Sequence, residues 1–205
     1  MLIAPLLAAV ALAPPFTARI DNPYFPVQPG MRWVYRGVEE GKRSRDVVKV
    51  TAHVEIIAGV PCATVRDRLY LNGRLAEDTR DWYSQDAQRT VWYFGEATKE
   101  LDRHGRVTST EGSWRAGVHG ARQGIIMPAH PRAGQQFQQE FLAGHAEDRF
   151  RVVAANSAGV ATREFTPLEP GVIDRKWYAY GIGNIREKSL KGPRESADLV
   201  EFSRG

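Results

Sequence analysis

Residues 63–96, ATVRDRLYLNGRLAEDTRDWYSQDAQRTVWYFGE, carry the pattern that decides the fold. In the first part of this stretch, apolar Val65, Leu69 and Leu71 alternate with polar neighbours, which is typical of β-strands. Asn72 and Gly73 separate two such strands and match the residues that favour a two-residue hairpin turn. The stretch therefore predicts a chain of antiparallel hairpins.

The same pattern continues outside this stretch. From Asp21 onward, short alternating segments are separated by Gly, Pro or Asn, as strands are by turns. Helical periodicity is weak throughout the chain. We predict a mainly β protein, a single antiparallel and strongly curved sheet that forms a half-barrel or a near-closed barrel. Residues 19–205 are predicted to form one β-rich domain, since 205 residues suit a single core of this kind.

The segment from Gly112 to Gly134, GSWRAGVHGARQGIIMPAHPRAG, departs from this pattern. It is rich in Gly, Ala and Pro, so we predict one long irregular loop. Long loops in compact domains often carry function, and this loop is a candidate pocket wall or lid.

Composition and charge limit the classes of function. The net charge of +4 comes from 28 basic and 24 acidic residues that are interspersed, so we predict no nucleic-acid partner. Cys62 is the single cysteine and is predicted to be a buried thiol. Residues 2–13 are apolar and too short to span a bilayer, and we predict that residues 1–18 are a signal peptide or leader. A first strand or a disordered leader is the alternative.

Few motifs for metal, nucleophile or cofactor chemistry occur. His53, His104, His119, His130 and His145 lack the spacing of metal ligands, and no GxSxG motif occurs, so we predict neither a metal site nor a cofactor. His119, His130 and His145 flank the long loop and are the histidines that could converge.

Aromatic and acidic residues are interspersed between Asp81 and Glu96. Strand alternation places Asp81 and Tyr83 on one face, with Trp82 and Ser84 on the other. Glu96 and Glu140 are the candidate catalytic carboxylates, because an acid that faces an aromatic cavity has a raised pKa and can act as a general acid. The alternative is that nearby arginines pair with such acids across strands.

The aromatic residues could line a pocket for a sugar ring or an acyl chain, or they could simply form the core. Trp114 belongs to the irregular loop and is therefore predicted to lie outside the core. The predicted ligand-binding residues are Trp114, Tyr83, Trp92 and Met127.

Four runs of sequence resemble a group of uncharacterised secreted bacterial proteins. They are NPYFPVQPGMRWVYRG (22–37), DTRDWYSQDAQRTVWYFGEATKE (78–100), STEGSWRAGVHGARQGIIMPAHPRAGQQFQQEFLAGHAED (109–148) and TPLEPGVIDRKWYAYGIGNIRE (166–187). The chain is more distantly similar to periplasmic lipoprotein-carrier half-barrels. This resemblance implies a curved antiparallel sheet around an apolar cavity and a place in the cell envelope.

We therefore expect a secreted or periplasmic binding or carrier module for a small apolar or carbohydrate ligand. One alternative is a cofactor-free hydrolase or lyase that acts on a glycan or envelope substrate through a carboxylate pair. The other is a structural envelope protein that has no ligand.

Overall fold

The computed structural model describes residues 15–205, and within them sixteen β-strands and no helix occur. The first eight strands are β1 (Arg32–Glu39), β2 (Lys42–Ile57), β3 (Val60–Leu71), β4 (Arg74–Gln85), β5 (Val91–Ala97), β6 (Glu100–Leu101), β7 (Val107–Ser109) and β8 (Trp114–Arg115). The other eight are β9 (Arg122–Met127), β10 (Gln136–Gln138), β11 (Glu140–Phe141), β12 (Arg149–Ala155), β13 (Gly159–Phe165), β14 (Ile173–Ala179), β15 (Gly183–Lys191) and β16 (Ser196–Ser203). Residues 15–205 contain no helix that could span a lipid bilayer.

Thirteen of these strands follow one antiparallel path, in the order β10-β12-β13-β14-β15-β16-β1-β2-β3-β4-β5-β9-β11. The sheet curls into a nearly closed barrel with one unsealed seam. The strands at the two ends of the path, β10 and β11, are neighbours in sequence. One short segment therefore pairs with β12 through Gln136–Gln138 and with β9 through Glu140–Phe141. The predicted fold class, a mainly β and strongly curved antiparallel sheet, is confirmed.

The Asn72-Gly73 hairpin turn is also confirmed. Leu71 pairs with Arg74, which leaves two turn residues between β3 and β4. Asn72 and Gly73 have φ angles of 48° and 83°, the left-handed values that a type I′ turn requires of both residues. Glycine and asparagine adopt this backbone with little strain, which explains why the sequence marks the turn so clearly.

The segment from Gly112 to Gly134 differs from one irregular loop because it contains β8 and β9. The sequence does not reveal β9, because this strand contains a glycine and pairs with strands that are not its immediate neighbours in the chain. A Cβ atom on Gly124 would lie 2.2 Å from the backbone oxygen of Gln139, so only glycine allows this approach. This strand forms because it pairs with β5 and β11, and its own sequence pattern is too weak to predict it.

Two apolar clusters form the core. The first occupies the barrel interior and includes Trp33, Val50 and Phe150, while the second surrounds Phe94 and Trp114. Lone Cys62 is fully buried in the second cluster, and burial raises the pKa of its thiol to about 12. Cys62 is therefore a packing residue with an unreactive thiol.

Most of the predicted leader, residues 1–18, lies outside the described residues. Phe16 packs edge-to-face against Phe94, with ring centroids 5.5 Å apart. The backbone N–H of Thr17 donates to the Gln85 carbonyl oxygen at 2.9 Å. Cleavage after Ala13 would keep these contacts, whereas cleavage after Ala18 would remove them.

Candidate functional site

A cavity of about 220 Å³ lies inside the barrel. At ~30 Å³ for each molecule, this volume corresponds to about seven waters. Part of the wall is apolar and belongs to strands from both halves of the sheet and to the 24–27 segment. The apolar side chains that line it are Phe25, Val27, Trp33, Tyr35, Val48, Val65, Tyr83, Ile126 and Tyr178.

Hydrogen bonds to the backbone fix two of the aromatic side chains in this wall. The indole N–H of Trp33 donates to the carbonyl oxygen of Ile182 at 2.7 Å. The Tyr35 hydroxyl donates to the carbonyl oxygen of Asn184 at 2.8 Å. Their polar atoms are thus satisfied by backbone oxygens of the turn before β15 and of the start of β15, and their rings remain as fixed apolar surfaces.

Three carboxyl groups form a diagonal row in the wall of the same cavity, at Asp46, Asp67 and Asp81. Asp46 in β2 pairs with Leu69 in β3, and Asp67 lies two residues from Leu69, so both side chains share a face. Asp67 pairs with Thr79 in β4, and Asp81 lies two residues beyond Thr79. The register of three neighbouring strands therefore places the three acids together inside the barrel.

These carboxyl groups are poorly compensated. Burial and the neighbouring Asp67 carboxylate raise the pKa of Asp81 to about 7. Burial and the facing Asp46 raise the pKa of Asp67 well above its ordinary value, and burial raises the pKa of Asp46. The buried Oδ1 atom of Asp46 has no hydrogen-bond donor among residues 15–205. Because Asp46 and Asp67 lie close enough to share a proton, the pair favours a singly charged state.

Among residues 15–205, one cation, Lys176, lines the cavity, and it is paired with the carboxylates of Glu164 and Glu187. Its Nζ atom lies 2.9 Å from Glu164 Oε2 and 3.5 Å from Glu187 Oε2. Burial opposes the charged form, but these two carboxylates hold the pKa of Lys176 well above its usual range. Lys176 lowers the pKa of Asp67 and Asp81 only in part, and in residues 15–205 it forms ion pairs with Glu164 and Glu187 rather than with the diagonal row.

The Tyr93 hydroxyl connects the cavity to a second space. Its oxygen lies 2.7 Å from Asp81 Oδ1 and 2.9 Å from Glu96 Oε2. One hydroxyl carries one proton, so both contacts are hydrogen bonds only when one of the two carboxyl groups is protonated. Burial, with the nearby charges of Asp81 and Glu140, raises the pKa of Glu96 to about 9. Glu96 is therefore the protonated partner near neutral pH.

The second space is the acidic mouth of the barrel, a cavity of about 910 Å³ that shares Lys176 and Glu187 with the inner one. Nine carboxyl groups line it, at Glu96, Glu100, Glu111, Glu140, Asp148, Glu164, Glu169, Asp174 and Glu187. Burial and the neighbouring Asp148 raise the pKa of Glu140 to about 8. Although the chain as a whole is basic, this end of the barrel is strongly acidic.

The structure brings three of the predicted site residues to these cavities. Tyr83 lines the inner cavity beside Asp81, so the predicted shared face of these two residues is confirmed. Glu96 and Glu140 both line the acidic mouth. Neither forms an ion pair with an arginine in the described part of the chain, whereas Arg66 pairs with Asp78. The arginine-pairing alternative therefore does not apply to Glu96 and Glu140.

The other three predicted residues lie elsewhere. Met127 is fully buried in the first cluster, and its neighbour Ile126 lines the cavity instead. The Trp92 indole N–H donates to Asp86 at 2.9 Å, and Trp92 is absent from the walls of both cavities.

The prediction that Trp114 lies outside the core is wrong. Its side chain is 4% exposed and packs edge-to-face on Tyr93, with centroids 5.3 Å apart. The reason is β8, which pairs Trp114 with Glu96 and thereby turns the ring into the barrel. The indole N–H faces the Glu140 carboxyl group without forming a hydrogen bond of standard geometry.

The three histidines around the long segment do not line a common cavity. His145 lies at the acidic mouth, His130 lines a separate groove beside Pro131 and Arg132, and His119 is exposed in a turn. In residues 15–205, His, Cys, Asp and Glu side chains form no group of three or more that could hold a metal ion.

Sequence reasoning missed Asp46 and Lys176, and it considered Asp67 among the strand acids without choosing it as a site residue. The sequence does carry a signal for the two acids. Asp67 alternates in step with apolar Val65 and Leu69, and so lies on their face of the strand. Asp46 is related in the same way to Val48 and Val50. An acid at an apolar position of a strand indicates an inward-facing carboxyl group.

Comparisons with known proteins add little. No family model matches the chain, and no curated protein matches it. A solved structure described as a "putative lipoprotein" from Parabacteroides distasonis ATCC 8503 aligns with a TM-score of 0.42 and 11% identity. The alignment covers 88% of this chain and 98% of that one. Similarity at this level does not establish a shared function, and membership of the uncharacterised secreted group stays a prediction.

Proposed function

We propose that the protein is a binding or carrier module that holds a small ligand inside its barrel. The observation that carries this proposal is the inner cavity, which has fixed aromatic walls and adjoins the larger acidic mouth. Protein interiors are normally packed without voids of this size. A concave space with apolar walls and a few convergent polar groups is the usual form of a small-molecule site.

The cavity also counts against a purely structural role. A structural barrel gains stability by filling its interior, because every apolar contact that is lost to a void costs dispersion energy. Here the interior instead keeps buried carboxyl groups beside an open space, an arrangement that lowers stability. Such a cost is typical of functional sites.

We also propose a secreted or periplasmic location and an association with the cell envelope. The apolar segment at residues 2–13 supports this location, since its length and position suit the apolar part of a signal peptide. A carrier of small ligands is consistent with such a compartment.

Binding of a small neutral probe tests the proposed function. We expect isothermal titration calorimetry to detect binding of benzyl alcohol, an apolar probe, or of methyl glucoside, a carbohydrate probe. Ala197 lines the cavity in β16, so Ala197→Phe should fill the space and weaken binding about 10-fold or more. Val200, in the same strand and 55% exposed, provides the matched control Val200→Phe. Binding that is unaffected by Ala197→Phe would rule out the interior as the site.

A second candidate is a hydrolase or lyase that acts on a glycan through Glu96 and Glu140. The specific observation in its favour is that both acids line the acidic mouth and both have a raised pKa. A protonated carboxyl group of this kind can serve as a general acid.

For this second candidate, the Glu96→Gln and Glu140→Gln variants are expected to lose turnover of dye-labelled peptidoglycan while they still bind it. The amide keeps the shape of the side chain and removes its proton chemistry. Glu201→Gln, at an exposed position outside the mouth, is the control. Absence of turnover in the wild-type protein would leave the carrier as the surviving proposal.

A further inference from the structure

We propose that the ligand of the inner cavity is a small organic cation, a protonated amine that carries an apolar or aromatic group. This inference rests on the proposed function and specifies its ligand class. The geometry points to it because one cavity joins aromatic side chains to a row of carboxyl groups that form no ion pair within residues 15–205.

The charges that line the cavity support this class of ligand. Four carboxyl groups, at Asp46, Asp67, Asp81 and Glu187, face one ammonium group, that of Lys176. Lys176 is already paired with Glu187 and with Glu164. An ammonium group on the ligand would supply the missing positive charge where the low dielectric makes ion pairing strong.

The carboxyl groups of the diagonal row also have oxygen atoms that could accept further hydrogen bonds. Asp81 is 8% exposed, and the Tyr93 hydroxyl is the one donor from residues 15–205 that contacts its carboxyl group. The buried Oδ1 atom of Asp46 has no donor in the described chain. A primary ammonium group carries three N–H donors and no acceptor, so it matches a site that is made of acceptors.

The aromatic side chains beside the acids suit the remainder of such a ligand. Tyr35 pairs with Asp46 in the neighbouring strand, and Tyr83 lies beside the last acid of the row in β4. The rings of Phe25 and Tyr178 also line the cavity. Aromatic rings bind apolar groups by burial and attract cations through their quadrupoles. A fully hydrophilic ion would leave these surfaces unused, and a neutral ligand would leave the carboxyl groups unpaired.

The acidic mouth provides a route for such a cation. Its nine carboxyl groups lie around a space that adjoins the inner cavity at Lys176 and Glu187. A cleft with one sign of charge raises the local concentration of oppositely charged ligands and speeds their entry. The same field would repel an anionic ligand.

Three probes of similar size test the inference on the full chain by calorimetry: benzylammonium, benzyl alcohol and benzoate. We expect benzylammonium to bind at least about 10-fold more tightly than benzyl alcohol, and benzoate to bind most weakly. Asp81→Asn should remove most of the advantage of the amine and leave the affinity for benzyl alcohol within about twofold. Asp198→Asn, an acid of β16 that pairs with Arg186 at the surface, is the matched control and should change neither affinity.

The outcomes separate the two proposals. Equal affinity for the amine and the alcohol, with both lost in Ala197→Phe, would overturn the cationic ligand and keep the carrier. Amine binding that survives Asp81→Asn unchanged would also overturn it, because binding would then depend on another surface. If none of the three probes binds, the cationic ligand is overturned, and if methyl glucoside also fails to bind, the carrier proposal fails with it. A circular dichroism spectrum of Asp81→Asn checks that the sheet is intact.

Discussion

The stability of the protein is expected to fall as the pH rises from 5 to 9. Burial raises the pKa of Asp81 to about 7, that of Glu140 to about 8 and that of Glu96 to about 9. In the unfolded chain these acids have ordinary pKa values of about 4. Across this interval the folded state therefore binds more protons than the unfolded state, so the free energy of unfolding decreases with pH.

The direction follows from linkage. Each of these groups contributes its stability fully below its unfolded pKa and loses it as the pH passes through its folded pKa. For the deeply buried Asp81 the ceiling of this loss is about 1.4 kcal/mol for each pH unit between its two pKa values. Acids that have a lowered pKa, such as Asp78 beside Arg66, lose their contribution only in more acidic solution and do not oppose the trend.

Urea unfolding at pH 5, 7 and 9 measures this effect. The double variant Glu96→Gln, Glu140→Gln should flatten the dependence and raise stability at pH 9, because neutral amides cost less to bury than carboxylates. Glu201→Gln, at a residue whose side chain is 59% exposed, should behave like the wild type. A stability that rises with pH, or an equal slope in the double variant, would show that these acids are not buried as described.

Trp114→Ala is expected to lower the free energy of unfolding by about 3–5 kcal/mol, the usual cost of deleting a buried tryptophan. Trp114 is 4% exposed and packs on Tyr93 at the heart of the second cluster. The Trp92 side chain is only partly buried, so Trp92→Ala should cost less, about 0.5–3 kcal/mol. Guanidinium unfolding of both variants at pH 6 compares them directly.

This order is the reverse of the order that the sequence suggests. Read locally, Trp114 lies in a Gly-rich segment and Trp92 in a regular strand. If Trp92→Ala proves the more damaging variant, then Trp114 is a mobile loop residue and the assignment of β8 is wrong. Trp177→Ala, at another partly buried tryptophan in β14, provides a further comparison.

Local patterns were enough to predict the type of fold. The hairpin at Asn72-Gly73 is encoded by two residues with positive φ, and alternation marks the long strands around it. By contrast, β9 depends on contacts with β5 and with the distant backbone of Gln139, which no local pattern records. Short strands that are made by tertiary pairing are therefore what sequence reasoning misses.

Only part of the candidate site could be predicted, because local alternation places residues of one strand but does not give the pairing between strands. Alternation within β4 correctly predicted that Asp81 and Tyr83 lie on a common face. The diagonal row of Asp46, Asp67 and Asp81 additionally requires the register between three strands, which the sequence does not specify. Lys176 comes from the other half of the sheet and joins the acids only when the barrel curls.

The claim that the barrel interior is a ligand site is tested most directly by NMR. Backbone amide shifts of the ¹⁵N-labelled protein are measured while benzylammonium, and in parallel benzyl alcohol, is titrated in. We predict that the perturbed amides cluster at Tyr35, Val65, Asp67 and Tyr83, around the inner cavity. Perturbations confined to exposed apolar positions such as Val54 and Ile56, or none with either probe, would contradict an interior site.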